Sequence, residues 1–337
     1  MKFIIAALGL LCLSSESYAL DWEKIVGATN SIVMVRGYNP DGSMAYGSGV
    51  IVAQNKVMTN CHIFRQTKKP WVSHGEDSYA VLSVQADRYH DLCLLEVDNL
   101  AIPPAPIGKS TDLKKNQEMI AIGHSSGVPS PITSLGTLKS LYPFHNNGNV
   151  IRTNARFALG ASGSGLFDDS GNLIGINTFK TPGRFAYFYA LPVEWLDDLQ
   201  KLPIENQFPI IGKAFWEEDD DQKPFFMQMA LPEINEDWPK LGQVAETWIK
   251  TEPTNTEAWY ELGLAEENMG HSDLADKAYQ KSIDLDPSNS DTLIRLGHMA
   301  SDRGDTTKVH DIHLALLGIN QEIADEFAKN IGCNKQC

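Results

Sequence analysis

Gly160-Ala161-Ser162-Gly163-Ser164-Gly165-Leu166-Phe167, followed across an Asp/Ser/Gly turn by Asn172-Leu173-Ile174-Gly175-Ile176-Asn177-Thr178, sets one serine in a glycine frame between two apolar runs. A serine hydroxyl is a poor nucleophile until an imidazole takes its proton, and the imidazole in turn needs a carboxylate to hold its tautomer. Upstream, Gly47-Ser48-Gly49-Val50-Ile51-Val52 and Val57-Met58-Thr59-Asn60-Cys61-His62 read as a strand pair that ends on a histidine. Between the two lies His90-Asp91-Leu92-Cys93-Leu94-Leu95-Glu96-Val97, an acidic residue opening an apolar strand. His62, Asp91 and Ser162 are therefore the candidate base, orienting acid and nucleophile. The glycines let the chain turn sharply at the serine, so that the N–H groups of Gly160 and Ser162 would converge on an oxyanion.

Working outward, residues 31–36, 49–53, 80–85, 92–97, 119–122, 149–153 and 173–178 are short β-rich runs broken by Gly, Pro, Asn and Asp. Such spacing predicts an all-β sandwich or barrel. A short helix carrying Trp195, Leu196 and Leu199 closes this part.

The three motifs in His–Asp–Ser order resemble the trypsin-like chymotrypsin superfamily, and more closely its bacterial HtrA/Deg branch. Gly-Ser-Gly-Val-Ile, Thr-Asn-x-His, Asp-Leu-x-Leu-Leu, Ile-x-Thr-Asn-Ala and Leu-Ile-Gly-Ile-Asn-Thr all have close counterparts there. The resemblance covers about residues 30–195. It implies an all-β double barrel of two six-stranded units, with His62 and Asp91 from the first and Ser162 from the second. It also implies peptide-bond hydrolysis without metal or organic cofactor. The chain departs from the family in three places. Ser164 replaces the second glycine of Gly-x-Ser-Gly-Gly, Ala161 stands where digestive enzymes carry an aspartate, and helical repeats replace a PDZ-like domain.

Residues 203–221 hold Pro203, Pro209 and the run Glu217-Glu218-Asp219-Asp220-Asp221, a composition that predicts an acidic linker. Beyond it a 34-residue period pairs Pro253 with Pro287, Leu262 with Leu296, Gly263 with Gly297 and Gly270 with Gly304. This resembles the tetratricopeptide repeat, best over 256–289, fairly over 290–323, with a degenerate first repeat near 222. The expected organisation is a signal peptide at 1–19, a protease domain at 20–202, a linker at 203–221 and an all-α tetratricopeptide-repeat domain at 222–337.

Met1-Lys2, an apolar run from Phe3 to Leu13 and Ser17-Tyr18-Ala19 form a secretory signal, cleaved after Ala19 and too short to span a membrane. Periplasmic or secreted location follows. Of the cysteines left, Cys333 and Cys337 would close a terminal loop. Cys61 and Cys93, beside His62 and Asp91, are either bridged or two buried thiols. No set has metal-site spacing.

The net charge of −15 sits wholly in residues 205–337, with 26 acidic and 11 basic residues, while residues 1–204 hold 17 of each. Nucleic acid, which needs clustered cations, is not an expected partner. The expected partners are a protein or peptide substrate and a protein held by the repeats. For the specificity pocket the candidates are Arg156, Phe157 and Leu159. Arg156 would favour acidic side chains, Phe157 and Leu159 small or medium apolar ones, and the apolar reading is preferred. The leading function is an exported serine endopeptidase working through an acyl-enzyme. The alternatives are a catalytically idle protease-like scaffold and an esterase on the same residues.

Overall fold

A computed structural model of the chain describes residues 22–144, 147–183 and 185–332. The signal segment and the Cys333–Cys337 pair lie outside the described residues. After α1 (Trp22–Asn30), β1 (Ile32–Tyr38), β2 (Met44–Ala53), β3 (Lys56–Asn60), β4 (Trp71–His74), β5 (Asp77–Asp87) and β6 (Leu92–Val97) close a first barrel in the order β1-β2-β3-β6-β5-β4. β7 (Glu118–Gly123), β8 (Ile132–Pro143), β9 (Asn149–Thr153), β10 (Ser164–Asp168), β11 (Leu173–Lys180) and β12 (Phe188–Pro192) close a second in the order β10-β11-β12-β9-β8-β7. The two orders are the same topology, so the double-barrel expectation holds.

All seven apolar runs read from the sequence fall in strands. Besides β12, a buried apolar strand like the others, the strands that escaped that reading are of a different kind. β4 is short, and β8 alternates between exposed and covered positions along much of its length. β10 hides within the glycine frame of Ser162.

The segment after the barrels is not a solvated tether. After the second barrel, α2 (Leu196–Leu199) already lies against β5 and β6 of the first, and the chain stays on that barrel. Glu205 pairs its backbone with Val84, and its carboxylate takes both arms of Arg88. Phe208 and Ile210 pack into the core of the first barrel, with the Ile210 N–H donating to Phe64 O. Phe215 is fully buried and Glu217 pairs with Arg65. Apolar side chains between the prolines, together with a cation waiting for the acid, outweigh the disordering bias of the composition.

The helices are α3 (Phe225–Gln228), α4 (Ala230–Ile234), α5 (Trp238–Thr251), α6 (Thr256–Asn268), α7 (Ser272–Leu285), α8 (Ser290–Asp302), α9 (Thr306–Ile319) and α10 (Gln321–Asn330). The repeat period is visible as capping: Asn255 and Asn289 each accept backbone N–H groups at the start of α6 and α8. Gly263 is where the ring of Tyr279 lies against its partner helix, and a Cβ there would sit 2.5 Å from that ring. Helices and second barrel share one core, in which Tyr142 and Tyr189 meet Phe226, Leu241 and Trp248. Polar ties add to it: Ser140 to Glu257, Lys115 to Asp291 and Arg152 to Glu233.

Candidate active site

His62 follows β3 directly, in a short helical turn over Cys61–Phe64, so the strand end fixes where the ring stands. Asp91 precedes β6, the strand paired with β3. Its backbone is left-handed, at φ 57°. That strained conformation turns the Asp91 carbonyl back toward Asn60 Nδ2 at 2.9 Å and the Cys61 N–H at 3.3 Å. The carboxylate meanwhile faces His62 at two points. Oδ1 accepts the His62 backbone N–H at 2.8 Å, and Oδ2 lies 2.6 Å from Nδ1. A ring nitrogen held against a carboxylate carries its proton there, which leaves Nε2 as the basic one. Asp91 is 1% exposed, so the pair is locked. A disulfide joins Cys61 to Cys93, one residue from His62 and two from Asp91.

Ser162 approaches from the other barrel. With His62, Gly160, Leu159, Tyr46 and Arg65 it lines a cleft of about 400 Å³. The loop that carries it is pinned peptide by peptide. Ser126 N–H donates to Leu159 O at 2.6 Å, Ser48 Oγ to Gly160 O at 2.8 Å, and Ser48 N–H to Ser162 O at 2.8 Å. Gly160 and Gly163 have φ of 94° and 83°. A Cβ would meet His124 O at 2.6 Å from Gly160 and Ser48 O at 2.2 Å from Gly163. With the neighbouring carbonyls tied back, the N–H groups of Gly160 and Ser162 have no acceptor among the described residues. No hydrogen bond joins Ser162 Oγ to His62, a gap common before substrate binds.

Ser164, the departure from the usual glycine, is accommodated by two residues. Asn177 Nδ2 donates to its hydroxyl at 3.0 Å, and Gly123 faces it where a Cβ would be 2.2 Å away.

Residues 47–176 match the family described as trypsin-like peptidase domain, and 256–289 match the tetratricopeptide repeat. The chain carries a trypsin-like peptidase domain. The chain is 28% identical over 186 residues to a probable periplasmic serine endoprotease, DegP-like, of Pseudomonas fluorescens, covering 53% of this chain and 38% of that protein. To the protein of the same name in Halomonas elongata it is 31% identical over 156 residues, covering 44% and 33%. The chain thus spans less than half the length of these relatives. Among solved structures, the Rv3671c protease of M. tuberculosis in its active form superposes with a TM-score of 0.51 at 19% identity, covering 58% of this chain and 89% of that one. That likeness concerns the fold.

The peptidase domain disposes the remaining candidates unevenly. Leu159 is 76% exposed on the cleft rim. Phe157 packs edge-on against Phe188, and Arg156 is exposed, its backbone N–H donating to Ser134 Oγ. Sequence reading missed Ser48, which also accepts the His124 N–H at 2.9 Å. It missed Trp216 as well, whose ring stands edge-on to His62 at 5.6 Å. His124, in the loop after β7, is buried with Nδ1 at 2.9 Å from Val128 O, and burial lowers its pKa. Ser48 sits in the Gly-Ser-Gly triplet, which signalled it; nothing local marks Trp216.

Proposed function

We propose that the protein is an exported serine endopeptidase, with Ser162 as nucleophile, His62 as general base and Asp91 as its orienting carboxylate. The observation that carries this is the two-point hold of Asp91 on His62, with Ser162 and Gly160 lining the same cleft. In the reaction, Ser162 Oγ attacks the scissile carbonyl carbon while His62 Nε2 takes its proton. The oxyanion that forms is met by the Gly160 and Ser162 N–H groups, worth roughly 3–4 kcal/mol per donor in such sites. His62 then gives the proton to the leaving amine as the C–N bond breaks, and the acyl-enzyme forms. Water, deprotonated by His62, hydrolyses that ester and restores Ser162.

Export is supported by the leader-like sequence, by the periplasmic names of the relatives, and by the Cys61–Cys93 bridge, which persists in oxidising compartments. A small or medium apolar residue before the cleaved bond is supported by the packing of Phe157 against Phe188 and the outward course of Arg156. The repeats serve partner or substrate recruitment, a use that stacked helix pairs fit.

Casein digestion by the purified mature chain, beside Ser162→Ala, tests the reading. Cleavage lost in the variant with its circular dichroism intact supports it. A wild-type protein that neither digests casein nor reacts with a fluorophosphonate at Ser162 is an idle scaffold, and the reading fails.

A further inference from the structure

Trp216 touches His62, yet it belongs to neither barrel. Its other face stacks on Phe179 of β11 at 5.7 Å and 20°. The same indole lines a groove of about 450 Å³ that His62 does not reach. Phe179 and Pro182 form one wall of that groove. The other is made by the helical part: Met227 of α3, Leu231 of α4 and Val244 of α5. The rim carries lysines and aspartates together, so no single charge is selected and the apolar floor sets the chemistry.

The groove is continuous with a free strand edge. β10 pairs with β11 up to Asn177, which stands opposite Ser164, two residues past Ser162. Beyond that, Phe179 and Lys180 keep β12 on one side and have no β10 partner on the other, with Thr178 in the register shift before them. A peptide whose cleaved carbonyl lies at Ser162 finds there an edge to extend, as strand-adding ligands do. Antiparallel addition runs the residues N-terminal to the cleaved bond toward Lys180 and Pro182, the mouth of the groove. Trp216 Nε1–H, in the wall beside this route, is buried and without an acceptor among the described residues.

We infer that the helical part completes the peptidase cleft: the groove between β11 and α3–α5 is a subsite for an apolar side chain of the substrate, upstream of the cleaved bond. At ~3.3 Å per residue of extended chain, that side chain is roughly the third to fifth before the bond. This rests on the proposed peptidase reading.

The test uses the full mature chain and internally quenched peptides randomised upstream of the cleaved bond. One set is long enough to reach the groove and one is truncated to two upstream residues. The wild type is expected to cleave the long set at least tenfold faster in kcat/KM, with apolar residues enriched at the third to fifth upstream positions. Leu231→Arg, and independently the milder Met227→Ser, should cut that ratio at least fivefold, whereas Leu274→Arg on the distant helix α7 leaves it as it was. A length-blind wild type, or a ratio the same in Leu231→Arg, overturns the inference. So does faster cleavage of both sets in the variants, which would make the segment a plug. Labelling of Ser162 by a fluorophosphonate is followed in parallel. A labelled wild type with a length-blind ratio sinks the subsite alone, and an unlabelled, inactive one sinks the catalytic reading with it.

Discussion

Asn60 Nδ2 donates to Thr178 Oγ1 at 3.0 Å, across the seam between the two barrels, and the same amide holds the Asp91 carbonyl at 2.9 Å. One buried side chain thus registers the His62–Asp91 half against the strand that runs past Ser162. Asn60→Ala takes the buried Thr178 hydroxyl's donor and leaves the Asp91 carbonyl only the Cys61 N–H, a loss of about 1–3 kcal/mol. We expect a lower melting temperature and a fall in kcat/KM on casein-derived peptides of at least tenfold, with labelling of Ser162 slowed in step.

Gly163→Ala should be harsher. Its φ of 83° is a conformation that side chains avoid, and the new Cβ would press on the Ser48 carbonyl at 2.2 Å. Strain of about 2–4 kcal/mol follows from backbone and clash together. Thermal unfolding should show it, and fluorophosphonate labelling should drop by more than tenfold because Ser162 is displaced.

Reduction of the Cys61–Cys93 bridge frees a loop spanning 32 positions. Chain-entropy arguments give a loss of about 3–4 kcal/mol for a loop of this size. Melting with and without reductant measures it. The Cys61→Ala/Cys93→Ala protein should lose activity at temperatures where the bridged protein keeps it, since the cysteines lie one residue from His62 and two from Asp91.

Glu261 of α6 is fully buried, neither carboxylate oxygen has a hydrogen-bond partner among the described residues, and burial, joined by Glu233 and Glu257, drives its pKa well above the ordinary carboxylate value. The unfolded chain releases this proton near pH ~4.3. Between that pH and the folded value the native state binds the extra proton, so stability falls as pH rises through the window. Glu261→Gln should flatten the decline in melting temperature from pH 5 to pH 8 and melt higher than wild type at pH 8. An unchanged slope would mean that the carboxylate ionises at no cost.

The runs around His62, Asp91 and Ser162 and most of the barrel strands were legible because each is written locally: an apolar run, a turn, a glycine frame. The helical repeats were legible because their period recurs in Gly, Leu and Pro. Ser48 and Asn60 lay inside motifs that marked their neighbourhood but not their reach, since each acts on residues of the other barrel. The segment at 203–221 was misjudged because its acids and prolines are counted easily, while the partners that satisfy it, Arg65, Arg88 and the core around Phe64, are far away in sequence.

The return of that segment to the first barrel also sets an order of events during synthesis. Ile210 and Phe208 belong to the core of a barrel whose last strand is β6. A chain emerging from its N-terminus therefore finishes every strand of that barrel long before it can seal it. Contacts so distant in sequence form late. The nascent first barrel must wait, with an apolar gap on its side, until the second barrel has been made. Chains that stop short of residue 208 should accordingly aggregate rather than yield a free-standing pair of barrels.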